Sequence, residues 1–316
     1  MMKEQIIALS KANGADLVGF APASRFGADD PIFKIFPEVK TVICLAFRVL
    51  RGNYRSIEEG STYYQYTTMG VENLEETVMP GASVRVANLI ESFGYTAIPQ
   101  RRNQLIMQEE NGTNPEMLHD WITRGAKAEN TMRFTESAIL CGIGERGFHG
   151  ALLTDEFGPM VRFCFILTDA EIEADEVKAP HLCDGCGACV RACPGHAIDA
   201  ATGKLDDWQC AVYYNGACGL RNPFMPFDAY SEFENRIEII AGEAKVDPEL
   251  AREILGATFF YPPIQHGYTA SICGRMCDID CYCHLEEKGV LTKSFKTPFR
   301  KREKWSYSID DFKQEK

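Results

Sequence analysis

No apolar run in the chain approaches the roughly twenty residues that a membrane-spanning helix needs. That argues against a membrane protein. A signal peptide is also missing, because the start MMKEQIIALSKANGAD mixes acidic and basic residues in an amphipathic pattern. A cytoplasmic location is therefore expected. Basic charge is in short supply: 33 Lys and Arg stand against 45 Asp and Glu, a formal net charge of −12. A broad nucleic-acid footprint needs a basic face, so such a role is disfavoured. Only a local patch remains open, from Arg101, Arg102, Arg300, Lys301, Arg302 and Lys304 in polar segments. Repeats and low-complexity tracts are absent. The 45% hydrophobic and 25% charged residues are ordinary globular values, and 316 residues can bury one large core or a core with a small satellite.

Against these absences stand thirteen cysteines. In a reducing compartment a disulfide scaffold is disfavoured, and metal or redox chemistry takes precedence. Cys44, Cys141 and Cys164 are scattered, while the other ten fall between Cys183 and Cys283. Cys44 in TVICLAF and Cys164 in VRFCFILT read as small buried hydrophobes.

Apolar periodicity gives a coarse map. Ile6, Ile7, Leu9 and Ala12 recur at helical spacing before Gly14, and LVGFA follows as a buried strand. TVICLAF is a second strand, bounded by Pro37 and Arg48. From Thr62 to Phe93 the pattern is helical, with a break or kink expected at Pro80–Gly81. YTAI reads as a strand, residues 100–128 as a long polar loop, and FTESAILCGIG as a short helix ending at glycine. GALLT and PMVRFCFILT, joined by a turn at DEFG, read as a hairpin. Helices alternating with apolar strands predict an α/β or α+β layered domain over residues 1–178. Beyond Pro180 strand-like runs vanish and cysteine and glycine rise. A second module, organised by metal rather than an apolar core, is expected over 179–290. The charged segment 291–316 is expected as a surface tail.

The strongest motif is Cys183-Asp-Gly-Cys186-Gly-Ala-Cys189-Val-Arg-Ala-Cys193-Pro194, the CxxCxxCxxxCP run of bacterial ferredoxins. Three thiolates at this spacing wrap one face of a [4Fe–4S] cubane. Gly185, Gly187 and Ala188 let backbone N–H groups approach the sulfides. The fourth cysteine binds a different cluster in two-cluster ferredoxins. A zinc ribbon would use two separated CxxC pairs instead. Cys210 and Cys218, then Cys273-Gly-Arg-Met-Cys277-Asp-Ile-Asp-Cys281-Tyr-Cys283, complete ten cysteines for eight positions. Two clusters are expected, with the ligands of the second left open by spacing. His181, His196 and His284 flank these motifs and read as hydrogen-bonded rather than iron-bound histidines. Tyr63, Tyr64 and Tyr66 read as a helix packing stripe, with Tyr64 and Tyr66 also candidates to line a planar cofactor.

The chain resembles epoxyqueuosine reductases and, more distantly, the corrinoid-dependent reductive dehalogenases. The likeness runs through GADLVGFAPASRF, PEVKTVICLAF and ESAILCGIGERGFHGALLTDEFGPMVRFCFILTD, then the ferredoxin run and Trp208-Gln-Cys210-Ala-Val-Tyr-Tyr, across roughly residues 3–285. It implies a flavin-reductase-like core that holds base-off cobalamin against a two-cluster ferredoxin module. It also implies that Cys183, Cys186 and Cys189 with Cys281 hold one cluster, and Cys193 and Cys210 with Cys273 and Cys277 the other. Gly142, Gly144 and His149 fall in the segment implied to meet the cofactor. Three features depart from the family. The last cysteine motif carries an extra residue and ends Cys-Tyr-Cys-His, so Cys218 or Cys283 competes for a ligand position. The family's proton-donating aspartate falls on Asn130, which cannot act as an acid, with Glu129 beside it; a lysine–asparagine pair of the family appears as Phe148-His149. The helical-repeat tail used beside transfer RNA is missing, which with the acidic charge argues against that substrate.

Two functions compete. One is a low-potential iron–sulfur reductase, implied to be cobalamin-dependent, acting on a small molecule and fed by a ferredoxin or flavodoxin. The other is a two-cluster electron carrier passing electrons to an acceptor protein. A bare carrier of two clusters needs only about sixty residues, so the large core favours the enzyme.

Overall fold

The computed structural model describes residues 2–61, 65–100, 132–258 and 271–313. The expected long loop over 100–128 falls almost wholly outside them. The strands are β1 (Leu17–Pro22), β2 (Thr41–Arg48), β3 (Ala97–Gln100), β4 (Glu145–Arg146), β5 (Leu152–Leu153) and β6 (Val161–Thr168). The principal helices are α1 (Met2–Ala12), α2 (Arg51–Glu59), α3 (Met79–Ser92), α4 (Phe134–Leu140), α5 (Ala188–Ala192), α6 (Asp207–Val212), α7 (Arg236–Ala241), α8 (Pro248–Ala257) and α9 (Met276–Glu287). No helix among the described residues is long and apolar enough to cross a membrane.

Three of the apolar runs become neighbours in one sheet, ordered β1-β2-β6-β3, with every pair antiparallel. Alternate residues of β2 serve opposite faces, as strand geometry requires. Val42, Cys44 and Ala46 pack with Phe163, Phe165 and α4 on one side. Ile43, Leu45 and Phe47 pack with Cys164, Ile166, α1 and α3 on the other. Cys44, Cys141 and Cys164 lie inside these layers as apolar fill. The fold is thus mixed α/β with an antiparallel sheet covered on both sides.

Three expectations are corrected here. The hairpin does not form as an extended ladder: β5 pairs with β4, whereas β6 pairs with β2 and β3. Only one bridge, Thr154 to Gly158, closes the DEFG turn. The break at Pro80 is also absent. Wide helical turns over Tyr66–Glu72 and Leu74–Val78 run directly into α3, where Pro80 occupies the first turn and needs no hydrogen bond for its nitrogen. The strand expected at YTAI starts two residues later, at Ala97.

The later half has its own apolar cluster, in which Trp208, Val212, Tyr213, Ile239, Ile254 and Phe312 meet. Metal is therefore not the sole organiser expected there. Nor is the C-terminal segment a plain surface extension, since Phe299 and Phe312 are 0% and 1% exposed. Burying a side chain of this size contributes about 1.5–3 kcal/mol. A further cluster joins the halves: Tyr54, Ile57, Tyr66 and Met160 pack against Met276, Ile279, Tyr282 and Phe299.

Candidate metal centre and the adjoining cleft

The cysteine run leaves the core at Glu145. Its carboxylate is 3% exposed and accepts the backbone N–H groups of His181, Leu182 and Cys183, the last two at 3.0 and 2.8 Å. Gly185 and Gly187 both have φ of +71° and shape the loop. Gly187 starts α5, and Arg191 closes back onto the carbonyl of Cys186 at 3.0 Å. Asp184 is held by His284 at 3.0 Å and Lys288 at 2.6 Å, which ties the loop to the end of α9.

Helix packing sorts the thiols into two groups. Burial pushes the Cys281 thiol far above its ordinary range, and Asp278 with the thiols of Cys189, Cys183 and Cys186 pushes it further. Those four cysteines therefore share one neighbourhood. Burial pushes Cys210 up to about 12, with Cys193 adding to it. Cys273 is raised by burial and by Cys218 and Cys210, and Cys277 by burial, by Asp278 and by Cys273 and Cys193. Cys218 is pushed up to about 12 by burial and by Cys193, so it stands with this second group as a fifth member. Cys283 is buried apart from both, its thiol facing Arg300, Glu58, Asp280 and Glu286. Thiols crowded this way resist ionising alone, yet a metal centre takes them as thiolates and supplies the compensating charge. The donor chemistry fits iron–sulfur ligation.

Two sulfurs accept backbone N–H groups: Cys183 from Phe148 at 3.2 Å and Cys193 from Ala197 at 3.3 Å. His149 follows Phe148, and its side chain is 2% exposed. Its Nε2 lies 2.9 Å from Asp278 Oδ1, and Arg275 donates to Asp278 through Nε at 2.8 Å and Nη2 at 3.2 Å. Burial acts to lower the His149 pKa, but hydrogen bonds to Asp278 and Cys189 prevail and raise it to about 9. Burial alone would raise Asp278; Arg275 and His149 hold it well below the usual carboxylate range instead. One ligand atom each of His149, Cys277 and Asp278 lies within 4.8 Å of the others, so the imidazole stands between the two cysteine groups.

Beside this network opens a cleft of about 420 Å³. Arg146, His149, Arg162, Lys204 and Arg275 line it together with Phe163 and other apolar residues. The carboxylates sit behind the wall: Glu136 pairs with Arg146, Glu75 with Arg162 at 2.8 Å, and Asp278 with Arg275.

The other sequence-based candidates divide. Tyr66 is fully buried in a packing position, its hydroxyl 2.7 Å from Ser271 Oγ and its ring 5.2 Å from that of Tyr54. Gly142 and Gly144 serve close backbone packing, since a Cβ there would fall 2.4 Å from the Glu176 carbonyl and 2.0 Å from that of Leu153. Tyr64, Glu129 and Asn130 lie outside the described residues. His181 and His284 are hydrogen-bonded to carboxylates, and one ligand atom each of His284, Asp184 and Cys186 lies within 4.8 Å of the others. Sequence reasoning missed Glu145, Asp278 and Arg275. A carboxylate within the apolar-flanked glycine segment was the one available hint of Glu145.

Comparison with known proteins agrees with the motif. A 4Fe-4S binding domain model matches residues 177–199. A tetrachloroethene reductive dehalogenase of Sulfurospirillum multivorans is 30% identical over 113 residues, covering 28% of this chain and 22% of that protein. One of Desulfitobacterium hafniense is 38% identical over 64 residues, 19% of this chain and 12% of that protein. An epoxyqueuosine reductase of Listeria monocytogenes is 36% identical over 72 residues, 23% of this chain and 18% of that protein. The chain thus spans less than a quarter of these relatives. Among solved structures, epoxyqueuosine reductase from Streptococcus thermophilus aligns over 91% of this chain and 82% of its own, at 14% identity and a TM-score of 0.46. A catabolic reductive dehalogenase in complex with 3-bromo-4-hydroxybenzoic acid aligns over 80% and 35%, at 18% identity and a TM-score of 0.48. Both families named in the expected resemblance therefore recur among the similar proteins.

Proposed function

We propose that this chain is a low-potential oxidoreductase with two [4Fe–4S] clusters, reducing a small molecule in the cleft beside them. In this reading Cys183, Cys186, Cys189 and Cys281 hold one cluster, and Cys193, Cys210, Cys273 and Cys277 the other. Residues 1–178 form a flavin-reductase-like layered core and 179–290 a ferredoxin-like module, with a ferredoxin or flavodoxin as electron donor. The observation that carries the reading is the sorting of the thiols into two groups beside a cleft of small-molecule size. When bound, the clusters supply one-electron reduction at low potential.

The chain's own residues prepare the site. Glu145 fixes the backbone entering Cys183, and the N–H groups of Phe148 and Ala197 reach ligand sulfurs. Hydrogen bonds of this kind tune the reduction potential. The resemblance implies cobalamin as well. At about 420 Å³ the cleft formed by the described residues is of small-ligand size and does not enclose a corrin, so no step is routed through cobalt. Anaerobic purification with cobalamin supplied, followed by iron, sulfide and cobalt analysis, tests the reading. About eight irons per chain are expected, two cubanes' worth; a reproducible four would remove the second cluster. Full iron in a protein whose reduced form passes electrons only to an acceptor protein would install the carrier function instead.

A further inference from the structure

In a chain with a net charge of −12, a cleft walled by cations needs a cause. Arg146, Arg162, Lys204 and Arg275 contribute four permanent positive charges to the lining, and among the described residues no Asp or Glu belongs to it. Three of the four are backed by carboxylates outside the wall. Such backing does not abolish the cleft's character. A guanidinium carries five donors, and the Asp278 pair engages Arg275 through Nε and Nη2. A carboxylate behind an arginine also fixes where its plane lies, so the charge is oriented before any ligand arrives. Arg162 is the extreme case: its side chain is 6% exposed and its partner Glu75 2%. Removing two ions from water costs several kcal/mol each. A pair used only to hold the fold together could be replaced by apolar residues at little loss.

The rest of the wall is apolar, including Leu152, Pro159, Val161 and Phe163. A bare inorganic ion would leave those groups uncovered. Cationic donors beside an apolar face suit a ligand with an anionic head and an apolar body. Position adds the last argument. Arg275 lies between Cys273 and Cys277 in sequence, and His149 reaches Cys189, so the floor of the cleft adjoins both cysteine groups.

We infer that this cleft binds a small organic anion, a carboxylate or phosphate carried on an apolar body, through Arg146, Lys204, Arg162 and Arg275. The inference rests on the oxidoreductase reading only in making that anion the substrate; the binding itself does not require it. The anionic head has two sources, a free small acid or the phosphate of a nucleotide-bearing cofactor, and the experiment separates them.

The test is calorimetric titration of the anaerobically reconstituted protein with benzoate, its neutral isostere benzamide, and phenyl phosphate. At least one anion should bind, weakening as salt rises, with benzamide at least about tenfold weaker, the discrimination expected for one charge-assisted hydrogen bond. Lys204→Gln and Arg146→Gln, at the wall and clear of the buried pairs, should each weaken the anion about tenfold at unchanged iron content. Benzamide matching the anions, no binding of either anion, or both variants binding like the parent would overturn the inference. Adenosine monophosphate displacing the anion while adenosine, which lacks the phosphate, does not would assign the head to a nucleotide-bearing cofactor; failure of both to displace it assigns a free acid. Iron analysis of the same sample keeps the two proposals apart. Full iron without anion binding sinks only this one, and anion binding with no iron sinks only the cluster assignment.

Discussion

Replacing Glu145 by alanine tests how the core holds the cysteine loop. The carboxylate accepts three successive N–H groups, from His181, Leu182 and Cys183. A hydrogen bond to a charged group is worth about 1.5–3 kcal/mol. The three cannot simply be added, because they share one carboxylate and two of the donors differ in what replaces it. His181 and Cys183 are exposed, so water takes over there, whereas Leu182 is 2% exposed and its N–H would be left without a partner. An orphaned buried donor costs about 1–3 kcal/mol, which with partial losses at the other two gives roughly 2–4 kcal/mol in all. At the roughly 2–4 °C per kcal/mol typical of larger domains, the midpoint should fall by roughly 4–16 °C. Glu145→Gln keeps one acceptor oxygen and should fall between the two. The assay is anaerobic thermal melting of the reconstituted proteins, with iron counted before and after a challenge with chelator. Iron should leave the alanine variant faster, since Cys183 sits on the loosened segment. An alanine variant that melts with the parent and keeps its iron equally long would show that the clamp holds nothing.

Gly144→Ala places a Cβ about 2.0 Å from the Leu153 carbonyl oxygen, a backbone atom that cannot swing aside. The β4–β5 pair must part, and denaturant melts should show a loss beyond the usual 1–3 kcal/mol of overpacking; parental stability would refute the packing role of this glycine. Cys283→Ala should retain full iron because its thiol faces Arg300 and Glu58 rather than other cysteines. Cys210→Ala should lose about four irons, one cubane, and Cys218→Ala none; the opposite result would exchange those two ligands.

The legible parts of this molecule are those where local pattern and final environment agree. TVICLAF and VRFCFILT are apolar throughout because the sheet is covered on both faces, and that made them readable as strands. It also hid their direction. Continuous apolar strands are usual in parallel sheets with helices on both sides, and nothing in the residues says that this sheet is antiparallel. Pro80 misled for a related reason: its effect depends on whether it falls within a helix or in the first turn, and the wide turns before it leave no periodicity mark. The Trp208–Phe312 cluster is assembled from short segments with no period of their own. In the site, the ferredoxin run declared itself by spacing. Asp278 and Arg275 did not, because a buried carboxylate and its partner are defined by what surrounds them and look in sequence like any charged helix end.

The two cysteine groups are related by an arrangement that spacing contains but does not reveal. Cys189 and Cys193 are four residues apart at α5, and Cys277 and Cys281 are four apart on α9. Four residues of helix advance about 6 Å, a little over one turn. On the proposed assignment each helix gives one cysteine to each cluster, in opposite senses: Cys189 with Cys281, and Cys193 with Cys277. On that assignment the two segments together would supply ligands to both proposed clusters. The interval is then occupied by Asp278, one residue after Cys277, with His149 and Arg275 bonded to it. A carboxylate at that point would oppose the gain of electrons by either neighbour. Bonded to an arginine and a histidine, it instead becomes a fixed dipolar group anchored to the core through the Phe148-His149 turn. That turn is also a wall of the cleft, so one short segment positions the cysteine loop, the ion network and the binding surface together.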